Sequence, residues 1–219
     1  MALLGAALRI EGKPVKAETN NLREILTPER RYVIPTIQRD YEWTRENQWE
    51  LLFSDLDATA QRLGEARALA DAAGRSVALA EKGVAPHFLG AIVCDQLPSS
   101  LSGMDLRAVI DGQQRLTTLQ LLLRGVLDVL LEAEHPRASA VRKLMTNPDD
   151  VISHTHERHK LWPRRRDREL WPTAMDDTLI PSARGVHARR DGGWRLSAPS
   201  ASLRRAWRWQ PSAGRAVIR

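Results

Sequence analysis

Cysteine is almost missing from this sequence, lysine is scarce, and no long apolar run occurs. Cys94 is the single cysteine among 219 residues. It leaves no way to form an internal disulfide or a cysteine-based zinc cluster, and it suits a reducing cytoplasm. The longest apolar stretch, Leu116 to Leu131, is broken by Thr117, Thr118, Gln120, Arg124 and Asp128. A helix that crosses a bilayer needs about 20 predominantly apolar residues, so no membrane span is expected. Met1 to Leu8 is apolar but has no basic residue ahead of it and no small-residue cleavage pattern, which argues against a secretory signal. What is present is ordinary for one globular domain with a core: 42% hydrophobic and 27% charged residues.

The formal net charge of +6 sits in one place. Gly185 to Arg219 carries eight arginines, one aspartate, and no lysine or glutamate. Removing these from totals of 33 basic and 27 acidic residues leaves 25 and 26 for the preceding 184 residues. The basicity therefore belongs to the tail and says nothing about the body. All five lysines lie at or before Lys160, and helical or alternating periodicity stops near Gly185. Plain disordered tails are poor in aromatics, yet this one holds Trp194, Trp207 and Trp209. Two readings stay open: an authentic basic tail that binds polyanions without sequence preference, or the out-of-frame reading of a GC-rich gene. Either way 185–219 is expected to be irregular and to supply no second folded domain.

Along the body, Arg31 to Ile37 (RYVIPTI) reads as a short strand. Pro35 cannot donate to a ladder and marks either a sheet edge or the strand's end. After Thr44, a candidate N-cap, Trp49, Leu52, Phe53, Leu56, Ala60 and Leu63 recur at helical spacing and predict a helix over about 45–63. The Ala-rich stretch 64–85, with Gly64, Gly74 and Gly83, reads as more helix broken by a turn or as an insertion. His87 to Asp95 (HFLGAIVCD) is apolar on both faces in its middle and predicts an internal strand. A turn-rich segment, 98–105, separates it from a second strand, Leu106 to Ile110, as in an antiparallel hairpin with a long loop. A buried helix should follow from Leu116 to about Glu134, then a weaker one over 138–145 ended by Asn147-Pro148, and a short strand over 159–163.

The junction Val109 to Leu119 (VIDGQQRLTTL) has a chemical logic. A strand ends at Ile110, Gly112 permits a sharp turn with positive φ, and a helix begins at once. The first turn of a helix points unsatisfied N–H groups outward and attracts anions. Arg115, a cation in that first turn, is unfavourable for the helix alone but sensible against a phosphate. Asp111 can hold a Mg2+ that bridges phosphates, and Gln113 or Gln114 can reach a ribose, a base or a water. The competing reading is a polar turn in which Asp111 caps the helix and pairs with Arg115. A second cluster, Ile34 to Trp43 (IPTIQRDYEW), sets Gln38, Arg39, Tyr41 and Trp43 just past a strand end, as a pocket wall or as a packed loop with Tyr41 and Trp43 buried. His154, His156 and His159 have no acidic or Asn partner at nuclease spacing and read as a solvated polar loop, and Cys94 as a buried core thiol.

The two motifs in order, with HFLGAIV (His87 to Val93) between them and KLWPRRRDRELWPTAMDD (Lys160 to Asp177) after them, resemble the N-terminal domain of GmrSD-type restriction proteins over residues 15–177. The resemblance implies an α+β, ParB/sulfiredoxin-like nucleotide-binding domain, with a small mixed sheet flanked by helices, acting in modification-dependent restriction of phage DNA. It implies nucleoside triphosphate (GTP or ATP) binding and hydrolysis with Mg2+. Asp111, Gly112, Gln113, Gln114 and Arg115, and less firmly Gln38 and Arg39, would form the nucleotide site. Asp111, Gln114 and Arg115 are the expected catalytic residues, and Asp111 the metal ligand. A separate C-terminal domain with an HNH-type nuclease motif usually cuts the DNA, so a separate nuclease subunit is an expected partner. The alternatives are a ParB-like DNA-binding or DNA-nicking module without nucleotide turnover, and the inactive remnant of a truncated gene.

Overall fold

The computed structural model describes residues 9–10, 13–14, 16–99, 103–175, 185–188 and 194–197. Strands β1 (Arg9–Ile10) and β2 (Lys13–Pro14) pair antiparallel ahead of helix α1 (Leu22–Leu26) and strand β3 (Arg30–Val33). A π-helical turn (Arg45–Trp49) runs into α2 (Glu50–Ala72), followed by α3 (Val77–Lys82), β4 (Val93–Gln96) and β5 (Asp105–Asp111). Then come α4 (Gln113–Glu132), α5 (Ala138–Arg142), two 3-10 turns, β6 (Leu161–Trp162), α6 (Trp171–Met175), β7 (Gly185–Ala188) and β8 (Trp194–Ser197). The protein is α+β, with a small mixed four-stranded sheet in the order β4-β5-β3-β6.

Helix α4 supplies the centre. Leu116, Leu119, Leu123 and Leu127 recur every three or four residues, so they share one face and all are buried. That face packs with Tyr32 and Ile34 from the β3 region, Val109 of β5, Leu161 of β6, Leu26 of α1 and Trp171 of α6. Each fully buried leucine contributes about 1.5–3 kcal/mol relative to exposure. A buried lysine joins this shell: the Lys160 ammonium donates to Pro28 O (2.6 Å) and Thr27 O (3.4 Å) just past α1. Burial pushes its pKa down to about 8.

Several expectations need correction. The strand predicted over 31–37 stops at Val33, and it is central, parallel to both β5 and β6. Pro35 thus marks a strand end. The run 87–95 becomes a strand only at Val93, and β4 is an edge, antiparallel to β5 with Cys94 opposite Val109. Gly90 at φ +95° breaks the extended backbone, and Phe88 is left 80% exposed. The helix predicted over 45–63 starts as a π-turn and continues to Ala72, so the Ala-rich stretch is further helix, turned at Gly74 (φ +62°) into α3. The hairpin of β4 and β5 and the helices near 116–134 and 138–145 are present, with α4 beginning at Gln113 and α5 ending at Arg142.

The expected solvated loop at 154–159 is only half solvated. His154 and His156 are exposed, whereas His159 and Glu157 are buried. Glu157 accepts hydrogen bonds from the Ser153 and His154 N–H groups, which hold its carboxyl below the usual range against the opposing effect of burial. Cys94 is half-buried beside the core, and burial pushes its thiol up to about 11. Within the tail expected to be irregular, β7 and β8 pair antiparallel. Trp207, Trp209 and the rest of 198–219 lie outside the described residues, as do 176–177 at the end of the expected domain. Among the described residues no helix is long and apolar enough to cross a membrane.

Candidate functional site

Because β5 and β6 both run parallel to β3, the carboxyl ends of all three strands emerge on one side. Three connections meet there: the loop after β3 carrying Gln38 to Glu42, the Gly112 turn after β5, and the Pro163 to Asp167 loop after β6. Between them lies a small open cleft that encloses about 10 Å³, lined by residues of all three, among them Arg39, Gln113, Gln114 and Arg164. Ligands of open α/β sheets sit at the carboxyl ends of strands, where loops diverge.

Gly112 makes the junction possible. Its φ of +89° lies in the left-handed region, and a Cβ there would stand 3.0 Å from Ala91 O and 3.1 Å from Ile92 Cα. The chain turns from strand to helix in one residue, and no side chain caps α4. The 20-residue helix thus starts without a capping oxygen from its N-cap residue, with Gln113 and Gln114 of its first turn buried.

The polar side chains of the motif grip neighbouring chain. Gln113 Nε2 donates to Arg39 O (3.0 Å). Gln114 uses both ends of its amide, donating to Asp40 O (2.7 Å) and accepting from Glu42 N–H (2.9 Å). Arg115 Nη1 donates to Ala91 O (2.5 Å), and its guanidinium lies over Gly90, where a Cβ would come within 2.4 Å of Nε. Gln38 Nε2 donates to Ile110 O (2.9 Å). One helical turn thus fastens the loop after β3 and the approach to β4 to the end of β5. Asp111 is exposed, and Arg39 keeps a side chain 66% exposed at the mouth, 3.5 Å from Glu42.

Tyr41 is buried beneath this loop. Its hydroxyl meets Thr118 Oγ1 (2.6 Å) and accepts from Trp49 Nε1 (2.7 Å), and burial pushes its pKa up to about 12. Trp43 is half-buried. Asp40 and Arg164, which the sequence did not single out, close the third side: Arg164 Nη2 lies 2.5 Å from Asp40 Oδ1, and its Nη1 donates to Gln38 O (3.0 Å). Asp40 adjoins the Gln38-Arg39 pair, so proximity in sequence was a usable signal; Arg164, 124 positions away, gave none. Among the described residues no three His, Cys, Asp or Glu side chains gather to hold a metal ion. Asp111 does not line the cleft itself; a Mg2+ held near it would rest on Asp111 and on phosphate oxygens, a donor set that suits magnesium, which keeps most of its waters.

Compared with known families, residues 22–184 match the sequence profile described as GmrSD restriction endonuclease, N-terminal domain. The chain belongs to this family. Both motifs, the cleft and every strand of the four-stranded sheet fall inside the matched range of the GmrSD N-terminal domain. No curated protein matches the chain.

Proposed function

We propose that this GmrSD N-terminal domain binds a nucleoside triphosphate, GTP or ATP, with Mg2+ at the carboxyl ends of β3, β5 and β6, and hydrolyses it as the sensing step of restriction aimed at modified phage DNA. The observation that carries the reading is the Gly112 turn, which starts α4 without a capping side chain next to a cleft that the exposed Arg39 also lines. The cleft encloses only about 10 Å³, room for a single water, against the roughly 300–1,000 Å³ that encloses a drug-sized ligand. The phosphates would therefore sit at the mouth, with base and ribose largely outside. The α4 N–H groups and Arg39 would neutralise phosphate oxygens. Asp111 would orient the attacking water and hold the metal, which supplies charge neutralisation across the phosphates. Water then forms the new bond to the γ-phosphorus as the bond to the bridging oxygen breaks, and the diphosphate leaves. Gln113, Gln114 and Arg115 act through the loops they fasten. Cutting of DNA would fall to a separate nuclease subunit.

The test is equilibrium binding of fluorescent GTP and ATP with Mg2+ to the full chain, with phosphate release followed in parallel. Arg39→Ala is expected to weaken binding about tenfold, since a charge-assisted hydrogen bond contributes about 1.5–3 kcal/mol and this one is partly screened by solvent. Asp111→Asn is expected to remove the Mg2+ dependence and turnover. A wild-type chain that holds neither nucleotide at millimolar concentration overturns the proposal. One observation favours a second reading: the side chains of Gln113, Gln114 and Arg115 are already engaged by backbone carbonyls. A module built that way can bind DNA without turnover, and it would retain DNA while releasing no phosphate.

A further inference from the structure

Strand β3 and the segment after α5 together form a second cluster of basic side chains, around Trp162. Arg31 on β3 is 5% exposed, and its guanidinium lies over the ring of Trp162 on β6, 4.8 Å from the centroid. The Arg168 guanidinium lies 5.8 Å from the same ring, with Nε donating to Pro163 O. His156 meets Trp162 at 5.4 Å, and exposed His154 stacks on His156 at 5.4 Å with rings 6° apart. Arg31 Nε and Nη2 are buried and have no hydrogen-bond partner among the described residues. These two donors form one edge of the guanidinium, the pair whose spacing matches two oxygens of a phosphate or carboxylate. Stacking on Trp162 satisfies the face of the group and leaves that edge unanswered.

The nearest acid offers no answer. The Glu157 carboxylate is turned to the Ser153 and His154 N–H groups. Buried donors without an acceptor are costly, and one partner for a charged edge is the usual remedy. Arg31 is enclosed, with the Arg168 guanidinium beside the same ring, so the complementary ligand is an anion rather than a neutral carbonyl. The exposed His154 ring adds a flat surface of the kind on which bases stack.

We infer that Arg31, Arg168 and His156, gathered around Trp162, form an oxyanion site that takes a phosphate group of a nucleic-acid strand, with a neighbouring base on His154. The site uses other side chains than the proposed triphosphate mouth, since neither Arg31 nor Trp162 lines that cleft, although Pro163, which accepts from Arg168, does, and it stands whether or not that reading holds. The shared chemistry is a phosphate with two accessible oxygens, and the sources are told apart experimentally.

The experiment follows the Arg31 Nε–H signal in 1H–15N spectra of the full chain, identified by its loss in Arg31→Met. The chain is titrated in turn with a single-stranded DNA dodecamer, inorganic phosphate, and GTP with Mg2+. The expected result is a saturable shift with the dodecamer that needs at least tenfold more DNA in Arg168→Ala, while the basic tail, common to both proteins, cancels. A shift with inorganic phosphate or GTP and none with the dodecamer upholds the oxyanion site and overturns the nucleic-acid source. A signal that none of the three moves overturns the site. Arg31→Met also separates binding from folding: an unchanged or higher melting temperature agrees with an arginine kept for a ligand, and a large fall together with an unmoved signal assigns Arg31 to the fold.

Discussion

Helices α4 and α2 are of similar length, 20 and 23 residues, yet ten residues of α4 are buried and only Ala70 of α2 is. Helix α4 is held by the sheet, through a leucine face that meets strands from three parts of the chain. Helix α2 is held more by its own composition, with Arg67 paired to Glu81 of α3. It is rich in Ala and Leu, good helix formers, with Gln61 reaching back to Asp57 along its surface. Leu51 and Leu69 stay 64% and 67% exposed. The two helices show the two sources of helical stability, packing and propensity, nearly separated within one protein.

The comparison breaks if leucines matter equally on both helices. Leu116→Ala is expected to lower unfolding free energy by about 2–5 kcal/mol, because a fully buried side chain leaves a cavity. Leu51→Ala should change it by no more than about 0.5 kcal/mol. Urea titration of both variants decides the matter, and equal losses would refute the division.

Buried charge gives the next contrast, because Lys160 has no counterpart on α2 or α3 among the described residues. Its ammonium titrates near 8 in the folded chain and near 10.5 when unfolded. Below pH 8 it is charged in both states and the burial cost is fully felt. Between pH 8 and 10.5 the folded state releases the proton first and the cost fades. Wild type should therefore gain on Lys160→Met as pH rises from 7 to 10.5, by up to about 3 kcal/mol at 1.36 kcal/mol per unit. A difference that stays flat in chemical denaturation across that range would contradict the buried ammonium.

A finer contrast uses two left-handed glycines. Gly112 at the head of α4 meets Ala91 and Ile92, whereas Gly74 beyond α2 has open space around it. Gly74→Ala bears only the backbone strain, about 1 kcal/mol, and Gly112→Ala adds a clash, for about 1–3 kcal/mol in all. Thermal melts of the pair order them, and the reverse order would show that the turn after β5 yields easily.

What could be read in the sequence follows the same split. The Gly112 turn and the leucine periodicity of α4 are local signals, and they survive in three dimensions. The run HFLGAIV looked like an internal strand because apolar composition does not reveal that Arg115 lies over Gly90 and that β4 is an edge. The central place of β3 depends on partners far along the chain. The jobs of Gln113 and Gln114 were invisible too, since both bind backbone carbonyls more than 70 positions earlier. The pairing of Arg31 with Trp162 needs the β3–β6 register and leaves no trace in spacing.

That register has a consequence for biosynthesis. β3 pairs Arg30 with Asp105, 75 residues onward, and Tyr32 with Leu161. A nascent chain emerging from the ribosome can wind α2 at once, because a helix closes on neighbours within four residues. It cannot pair β3 on either side until β5 has appeared, and the second side stays open until β6 follows. During that interval a short strand holding Tyr32 and Val33 presents unpaired backbone edges to any extended segment nearby. Long-range parallel pairing of this kind is slow, so β3 is the part of the sheet expected to stay unpaired longest while the chain is being made.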